Sequence, residues 1–287
     1  MPPSTPRWLQ GPRTLARGFL PPRIRRPLRE LVHDFPYRLH DLPRDLRERL
    51  LRSPDRLPPS WLRRRVGLTS SRAEFLDVGE RASADILRAY REVNSSPGDY
   101  RRWLDFGCGS GRLLVPLRRA GIEDLRGVDV DRDAIRWLQR RYGKERFLVS
   151  PSRPPLPLAS ASFDVILAVS VFSHMDEEVQ LSWLAETARL LRPGGLLIAS
   201  THGRDLVVTR GDLGPAEIER LDRSGFLFAP GGGPFNEDSA FHTPQYLART
   251  WGRWFECRAS LPRGLMGYQD LSIWERRAWI SRGRRGA

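Results

Sequence analysis

The sequence predicts an α/β fold in which a largely parallel sheet is interleaved with helices. Three observations predict it. Apolar, strand-like runs alternate with helical patterns from Trp103 to Thr201; the first strand ends in the glycine-rich run Gly107-Cys108-Gly109-Ser110-Gly111; and the second ends on an acid, Asp129. Strands separated by helices pair in parallel through right-handed crossovers, and ligands of such sheets sit at the carboxyl ends of the strands. The chain has 287 residues, enough for one large domain or two small ones. At 40% hydrophobic and 9% aromatic residues it can build a core, which excludes a fully disordered chain.

The amino-terminal part has a different texture. The net charge is +14, and residues 1–72 hold 17 of the arginines against six acids, with half of the 24 prolines. Residues 1–70 therefore read as a basic, Pro/Arg-rich extension, helical in places and partly disordered, and residues 71–280 as the folded domain. Lys144 is the only lysine, a bias that reflects base composition more than selection at each site. The basic arm has two readings. It is a solvated extension whose prolines break any regular basic helix, or it is a nucleic-acid or anionic-membrane contact; the first is favoured because no groove-reading motif accompanies it. Leu42, Leu46 and Leu50 recur every fourth residue, predicting a short amphipathic helix over Arg44–Leu51 that Ser53-Pro54 ends. No apolar run approaches the ~20 residues of a membrane span, and no secretory leader is visible. Two cysteines, Cys108 and Cys257, exclude a disulfide framework and a multi-thiolate zinc site, and point to a reducing, cytoplasmic setting.

From Ser71 the elements follow in order. Ser71 and Glu74 have capping-box spacing, opening a helical pattern through Phe75, Ile86, Leu87, Tyr90 and Val93 in which Gly79 reads as a break. Asn94–Gly98 is a loop. Trp103–Phe106 is a strand, Gly111–Ala120 a helix stopped by Gly121, Leu125–Asp129 a strand, Arg132–Tyr142 a helix, and Phe147–Val149 a strand. The proline-rich Pro151–Pro157 is irregular. Phe163–Ser170 is a buried strand, Glu177–Leu191 a helix, and Leu196–Thr201 a strand behind a Pro193-Gly194-Gly195 turn. Gly203–Asn236 is less regular, with a helix at Pro215–Arg223 and a loop at Gly231-Gly232-Gly233. Thr243 caps a helix to Trp251 with Pro244 at its first position. Trp254–Ser260 and Gln269–Glu275 form a terminal antiparallel pair, and Ser281–Ala287 is a frayed tail.

The chemistry concentrates in the first two strand ends. Glycines and small residues at 107–111 let backbone approach a ligand against the following helix. The spacing is Gly-x-Gly-x-Gly, with Arg112 where a dinucleotide fingerprint has its third small residue, which argues against a pyrophosphate ligand. Asp129, 18 residues past Gly111, stands where an acid accepts ribose hydroxyls. Taken alone, Asp105 reads as a loop cap, Cys108 as a packed small residue, and Asp129 as an ordinary strand-end acid.

Four blocks in order then carry a resemblance: Leu104-Asp105-Phe106-Gly107-Cys108-Gly109-Ser110-Gly111; Gly127-Val128-Asp129; Ser162-Phe163-Asp164-Val165-Ile166; and Arg189-Leu190-Leu191-Arg192-Pro193-Gly194-Gly195. The chain resembles the class I S-adenosylmethionine-dependent methyltransferases, of the type 11/25 kind, from Arg101 to about Arg277. The resemblance implies a Rossmann-like, doubly wound, seven-stranded sheet with the last strand inserted antiparallel. It implies S-adenosyl-L-methionine as cofactor, held in the 100–200 half, with an acceptor-side lid and last strands in 201–280. Asp105 and Gly107 would lie along the methionine, Gly109 and Gly111 under the cofactor with Cys108 between them, and Asp129 at the ribose, with Val130 also among the cofactor-binding residues. Ser170 would offer backbone groups to the methionine amine. The acid that many members place after strand three is missing from Ser150-Pro151-Ser152-Arg153, so Ser150 or backbone would read the adenine.

Methyl transfer needs no protein nucleophile or metal, only alignment and, for a hydroxyl acceptor, a base. The candidate bases are His202, just past strand five and slightly favoured, His174, just past strand four, and His242. Ser170-Val171-Phe172-Ser173 lacks the Asn/Asp-Pro-Pro-aromatic motif of nucleic-acid amino-methylating enzymes. Thr201-His202-Gly203, Phe241-His242 and Gly267-Tyr268-Gln269-Asp270 resemble a bacterial small-molecule subgroup. The acceptor is then a sugar or secondary metabolite, between walls drawn from Leu57–Val93 and Leu206–Thr243, with Trp61, Phe75, Phe226, Phe228 and Phe235 as wall candidates. The alternatives are an RNA or ribosomal-protein methyltransferase docking through the arm, and a non-catalytic S-adenosylmethionine-binding protein.

Overall fold

The computed structural model describes residues 57–67, 70–94, 101–210, 213–231 and 238–278, with helical positions at 35, 39, 41–43, 45 and 46. Most of the basic extension, the end of the helix expected over Arg44–Leu51, loop residues 95–98 and 232–233, Phe235 and the tail lie outside the described residues.

Seven strands form one sheet. In chain order they are β1 (Arg102–Phe106), β2 (Asp124–Asp129), β3 (Phe147–Val149), β4 (Phe163–Ala168), β5 (Leu191–Thr201), β8 (Phe255–Leu265) and β9 (Gln269–Arg276), and across the sheet they run β3-β2-β1-β4-β5-β9-β8. The first five are parallel, and β9 is antiparallel to both β5 and β8. The expected inserted last strand is thus present. A separate two-stranded ribbon pairs β6 (Phe226–Ala229) with β7 (Ser239–His242).

Alternation along the strands decides which helices pack where. Trp103, Val165, Leu167, Leu196 and Ile198 face a layer containing Ile86 and Tyr90 of α2 (Arg72–Val93), Leu117 of α3 (Leu114–Arg119) and Leu138 of α4 (Arg132–Tyr142). Leu104, Ile166, Ala168, Leu197 and Ala199 face Trp183 and Leu184 of α5 (Glu177–Leu190) and Tyr246 and Trp251 of α8 (Pro244–Trp251). A small third cluster joins α6 (Arg204–Arg210), α7 (Pro215–Ser224) and the ribbon through Val207, Leu221, Leu227 and Phe241. Two elements here, α6 and the ribbon, and one before the domain, α1 (Ser60–Gly67), had no counterpart in the sequence reading. Among the described residues no helix is long and apolar enough to cross a membrane.

Three differences have clear causes. The helix expected from Gly111 starts at Leu114, because the positive φ of Gly109 and Gly111 carries the loop three residues further. Pro193-Gly194-Gly195 lies inside β5 rather than in a turn before it; pairing with β4 jumps from Phe163↔Leu191 to Val165↔Leu196 and the block is absorbed as an irregularity. Gly79 does not break α2. A Cβ there would stand 2.6 Å from the Arg112 carbonyl oxygen, so the glycine permits close approach of α2 to the ligand loop. Gly79→Ala is accordingly expected to destabilise the fold by about 1–3 kcal/mol in urea melts, despite the better helix propensity of alanine.

The amino ends of β1, β4 and β5 are bolted together by Asp164. Its Oδ2 accepts the N–H of Arg101 (3.0 Å) and of Arg102 (2.7 Å), and its Oδ1 accepts Nε of Arg192 (2.8 Å). Burial alone would raise its pKa; the Arg102 amide, the Arg192 guanidinium and the Arg101 amide outweigh that and lower it.

Candidate active site

A cavity of about 280 Å³ opens at the carboxyl ends of β1, β2 and β4. The glycine loop forms one side. The N–H groups of Gly107 and Cys108 donate to the Val128 carbonyl at 2.8 and 3.1 Å, drawing the loop across the tip of β2. The Gly109 N–H donates to Asp129 Oδ2 at 2.7 Å, and the Asp131 N–H to Asp129 Oδ1, also at 2.7 Å. Asp129 therefore shapes the loop as well as facing the cavity. Gly109 has φ +51°, and a Cβ on it would fall 2.3 Å from Val66 Cγ1, so no other residue fits that cradle.

Of the residues singled out in the sequence, Asp105, Gly107, Cys108, Gly109, Asp129, Val130, Ser150 and Ser170 line this cavity. Gly111 does not; it packs behind the loop against Leu138. Val130 is 42% exposed, an apolar surface at the cavity wall. Ser150 is buried and its hydroxyl donates to the Pro151 carbonyl at 3.0 Å. Ser170 sits at φ +55°, its N–H donating to Ser200 Oγ at 2.8 Å. Cys108 is buried, and desolvation with the carboxylates of Asp105 and Asp129 pushes its thiol well above the ordinary value, which suits a packed residue and not a nucleophile.

Asp105 is buried, and desolvation first, then the charge of Asp129, raise its pKa from 3.8 to about 7, against the lowering effect of Arg112. The sign for stability follows. Between pH 4 and 7 the unfolded chain releases this proton and the folded chain keeps it, so the ligand-free protein loses stability as pH rises through that window. Thermal unfolding against pH is expected to show this slope, and Asp105→Asn, neutral throughout, to flatten it.

The three histidines separate. His174 lines the cavity, and its Nδ1 lies 2.7 Å from the Asp238 carbonyl oxygen. A carbonyl accepts only, so the proton is on Nδ1 and Nε2 is the basic nitrogen. His202, slightly favoured in the sequence, is buried away from the cavity lining; Gln269 Nε2 donates to its Nε2 at 3.1 Å, while Gln269 Oε1 accepts from the Ser170 hydroxyl at 3.1 Å. His242 is also buried off the cavity. Its Nε2 donates to Gln180 Oε1 at 2.9 Å, since the Gln180 amide nitrogen is already spent on the Phe172 and Met175 carbonyls. Burial, then the neighbouring His202, depress the His242 pKa to about 3, so it is neutral at ordinary pH. Among the described residues no cluster of three or more metal-ligating side chains occurs.

Met175 and Trp183 also line the cavity from outside the wall segments expected in the sequence, and Arg65, Val66 and Asp238 line it from within those segments without having been singled out. Arg65 and Val66 belong to α1, in a stretch read both as the end of the basic extension and as the start of the pocket wall. In fact Leu62, Arg63 and Arg65 are buried. The apolar spacing Leu62/Val66 behind Pro58-Pro59-Ser60 was the available signal, overshadowed by Arg63-Arg64-Arg65.

A methyltransferase-domain family model matches residues 104–199. The O-methyltransferase rstn1 of Aspergillus nomiae is 32% identical over 170 residues, covering 54% of this chain and 72% of that protein. The chain belongs to the class I S-adenosylmethionine-dependent methyltransferases. Its methyl donor is S-adenosylmethionine, and the glycine cradle, the Asp129 carboxylate and the exposed Val130 suit that group. The methyltransferase is also 32% identical over 124 residues to a ribosomal protein L11 methyltransferase of Cupriavidus taiwanensis, covering 43% of this chain but only 39% of that protein. Among solved structures, an S-adenosylmethionine-dependent methyltransferase from Clostridium acetobutylicum superposes with a TM-score of 0.51 at 12% identity, covering 69% of this chain and 92% of that one, a likeness of fold.

Proposed function

We propose that the enzyme methylates a hydroxyl group of a small-molecule acceptor, a sugar or a secondary metabolite, with His174 as the base. One observation carries the proposal: His174 stands on the cavity wall beyond β4 with its Nδ1 proton held by the Asp238 carbonyl at 2.7 Å, which makes Nε2 the ring nitrogen that can accept a proton. The bound cofactor supplies an electrophilic methyl group. Asp129 accepts the ribose hydroxyls with the lone pairs left by its two amide bonds, and Val130 packs against the adenine. Gly107 and Gly109 bring bare backbone to the ligand with Cys108 filling the loop behind them, and Asp105 faces the methionine. Ser150 and neighbouring backbone take the place of the missing adenine-reading acid. The methionine amine falls to the Ser170 carbonyl, because the Ser170 N–H is engaged with Ser200.

Val169, Val171, Met175 and Trp183 give the cavity apolar walls between few polar groups, the pattern of a small-molecule pocket. The relative from Aspergillus nomiae, an O-methyltransferase by name, supports an oxygen acceptor. The relative named for ribosomal protein L11 supports the second reading, a macromolecular acceptor docked by the basic arm; against it, Arg63 and Arg65 of that arm are turned inward. Incubation with methyl-labelled S-adenosylmethionine and panels of phenols, sugars and ribosomal fractions tests both. Label in an O-methyl product of low mass is expected. Label in ribosomal protein or RNA, lost on removing the arm or raising salt, would overturn the reading.

A further inference from the structure

We propose that the cofactor site extends outside the matched domain to α1, and that Arg65 is its positioning residue: the Arg65–Asp131 pair and the Arg112–Val66 hydrogen bond hold α1 as a strap across the adenosyl end of the cavity and slow the departure of bound cofactor. This rests on the assignment of Asp129 and Val130 to the adenosyl group.

Arg65 donates from Nη1 to both carboxylate oxygens of Asp131, at 2.7 and 2.6 Å, and its Nη2 lies 3.5 Å from Asp133. The Arg65 side chain is 4% exposed and that of Asp131 12%. A guanidinium so enclosed is tolerated only because its partner is in place, and its planar face stacks on Trp61 at 4.7 Å. Asp131 is a junction. It caps α4 by accepting the N–H groups of Asp133 and Ala134, and its own N–H binds Asp129. One residue, through its carboxylate and its own N–H, thus links α1, α4 and the acid assigned to the ribose.

The next residue of α1 grips the other side of the cavity. Val66 Cγ1 fills the space beside Gly109, and the Val66 carbonyl accepts Nη1 of Arg112 at 2.9 Å. Arg65 and Val66 both line the cavity, so α1 is one of its walls. The outer side of α1 is anchored independently. The Ser60 amide and hydroxyl donate to Asp45 at 2.9 and 3.0 Å, and Arg63 donates to the carbonyl of Pro58 before the helix and to that of Ser70 after it. A short helix held this firmly at its back and bridging the glycine loop and the β2 tip at its front must move for the adenosyl group to leave.

The test uses the full chain and S-adenosylhomocysteine, with dissociation followed by stopped flow. Arg65→Ala is expected to raise the dissociation rate ~10-fold or more with little change in association, because loss of closing contacts acts on release. Arg65→Lys should fall between, keeping the charge but losing the Nη2 approach to Asp133 and the planar stack on Trp61. Asp131→Asn should act in the same direction, and the double variant should add nothing further. Failure of the wild type to bind S-adenosylhomocysteine would remove the cofactor assignment itself. Wild-type binding combined with an unaltered release rate in a folded Arg65→Ala chain would overturn the strap and leave the site standing. Should that variant not fold, hydrogen exchange of the wild type decides: amides of residues 61–67 are expected to gain protection with the ligand, and unchanged exchange overturns the proposal.

Discussion

Asp129→Ala is expected to weaken S-adenosylhomocysteine binding about 100-fold or more, a loss of roughly 2.7 kcal/mol, measured by calorimetry. Two effects of the same substitution combine. The charge-assisted hydrogen bonds to the ribose hydroxyls go, and so do the acceptors that hold the Gly109 and Asp131 amides at 2.7 Å. The loop then loses the constraint that fits it to the ligand, and two partly buried N–H groups lose their partner. Asp129→Asn separates the contributions. It can keep one amide bond through its carbonyl oxygen, so it should bind better than the alanine variant and worse than the wild type. Binding by Asp129→Ala at wild-type strength would contradict the ribose assignment.

The second large effect is expected at His174. Once the acceptor is known, His174→Ala should lower kcat by ~10²–10⁴-fold, the range for loss of a general base, with cofactor affinity nearly unchanged. The acidic limb of the pH–rate profile, where the wild-type imidazole becomes protonated, should vanish with it. His242→Ala gives the contrast. That ring touches Gln180 and the core, not the cavity, so its loss should lower stability by about 1–3 kcal/mol, the range for stranding a buried hydrogen-bond partner, and leave the pH limb in place. Equal kcat losses in both variants, with both pH limbs intact, would remove His174 from the role.

The parts legible in the sequence were those whose signals are local. Ser71 and Thr243 cap the helices that follow them, strand runs such as Val165–Leu167 are apolar throughout, and the glycine loop stands at a fixed spacing from Asp129. What escaped depends on contacts distant in sequence. Gly79 looked like a break because its partner, the Arg112 carbonyl, is 33 positions away. The β6–β7 ribbon is short, and its apolar face exists only against α6 and α7. Nothing local distinguishes His174 from His202; their different surroundings come from an Asp238 carbonyl and a Gln269 amide, both distant in sequence. Arg65 looked solvated like its neighbours because Asp131 is met only in the folded chain.

The Asp164 junction gives the sheet two unlike ends. At one end, a single carboxylate ties the starts of three strands through two amides and a guanidinium. At the other, β1 and β4 open into loops whose polar groups face the cavity. Thermal breathing of the sheet has more to undo at the tied end, so its fluctuations belong to the rim where ligands arrive.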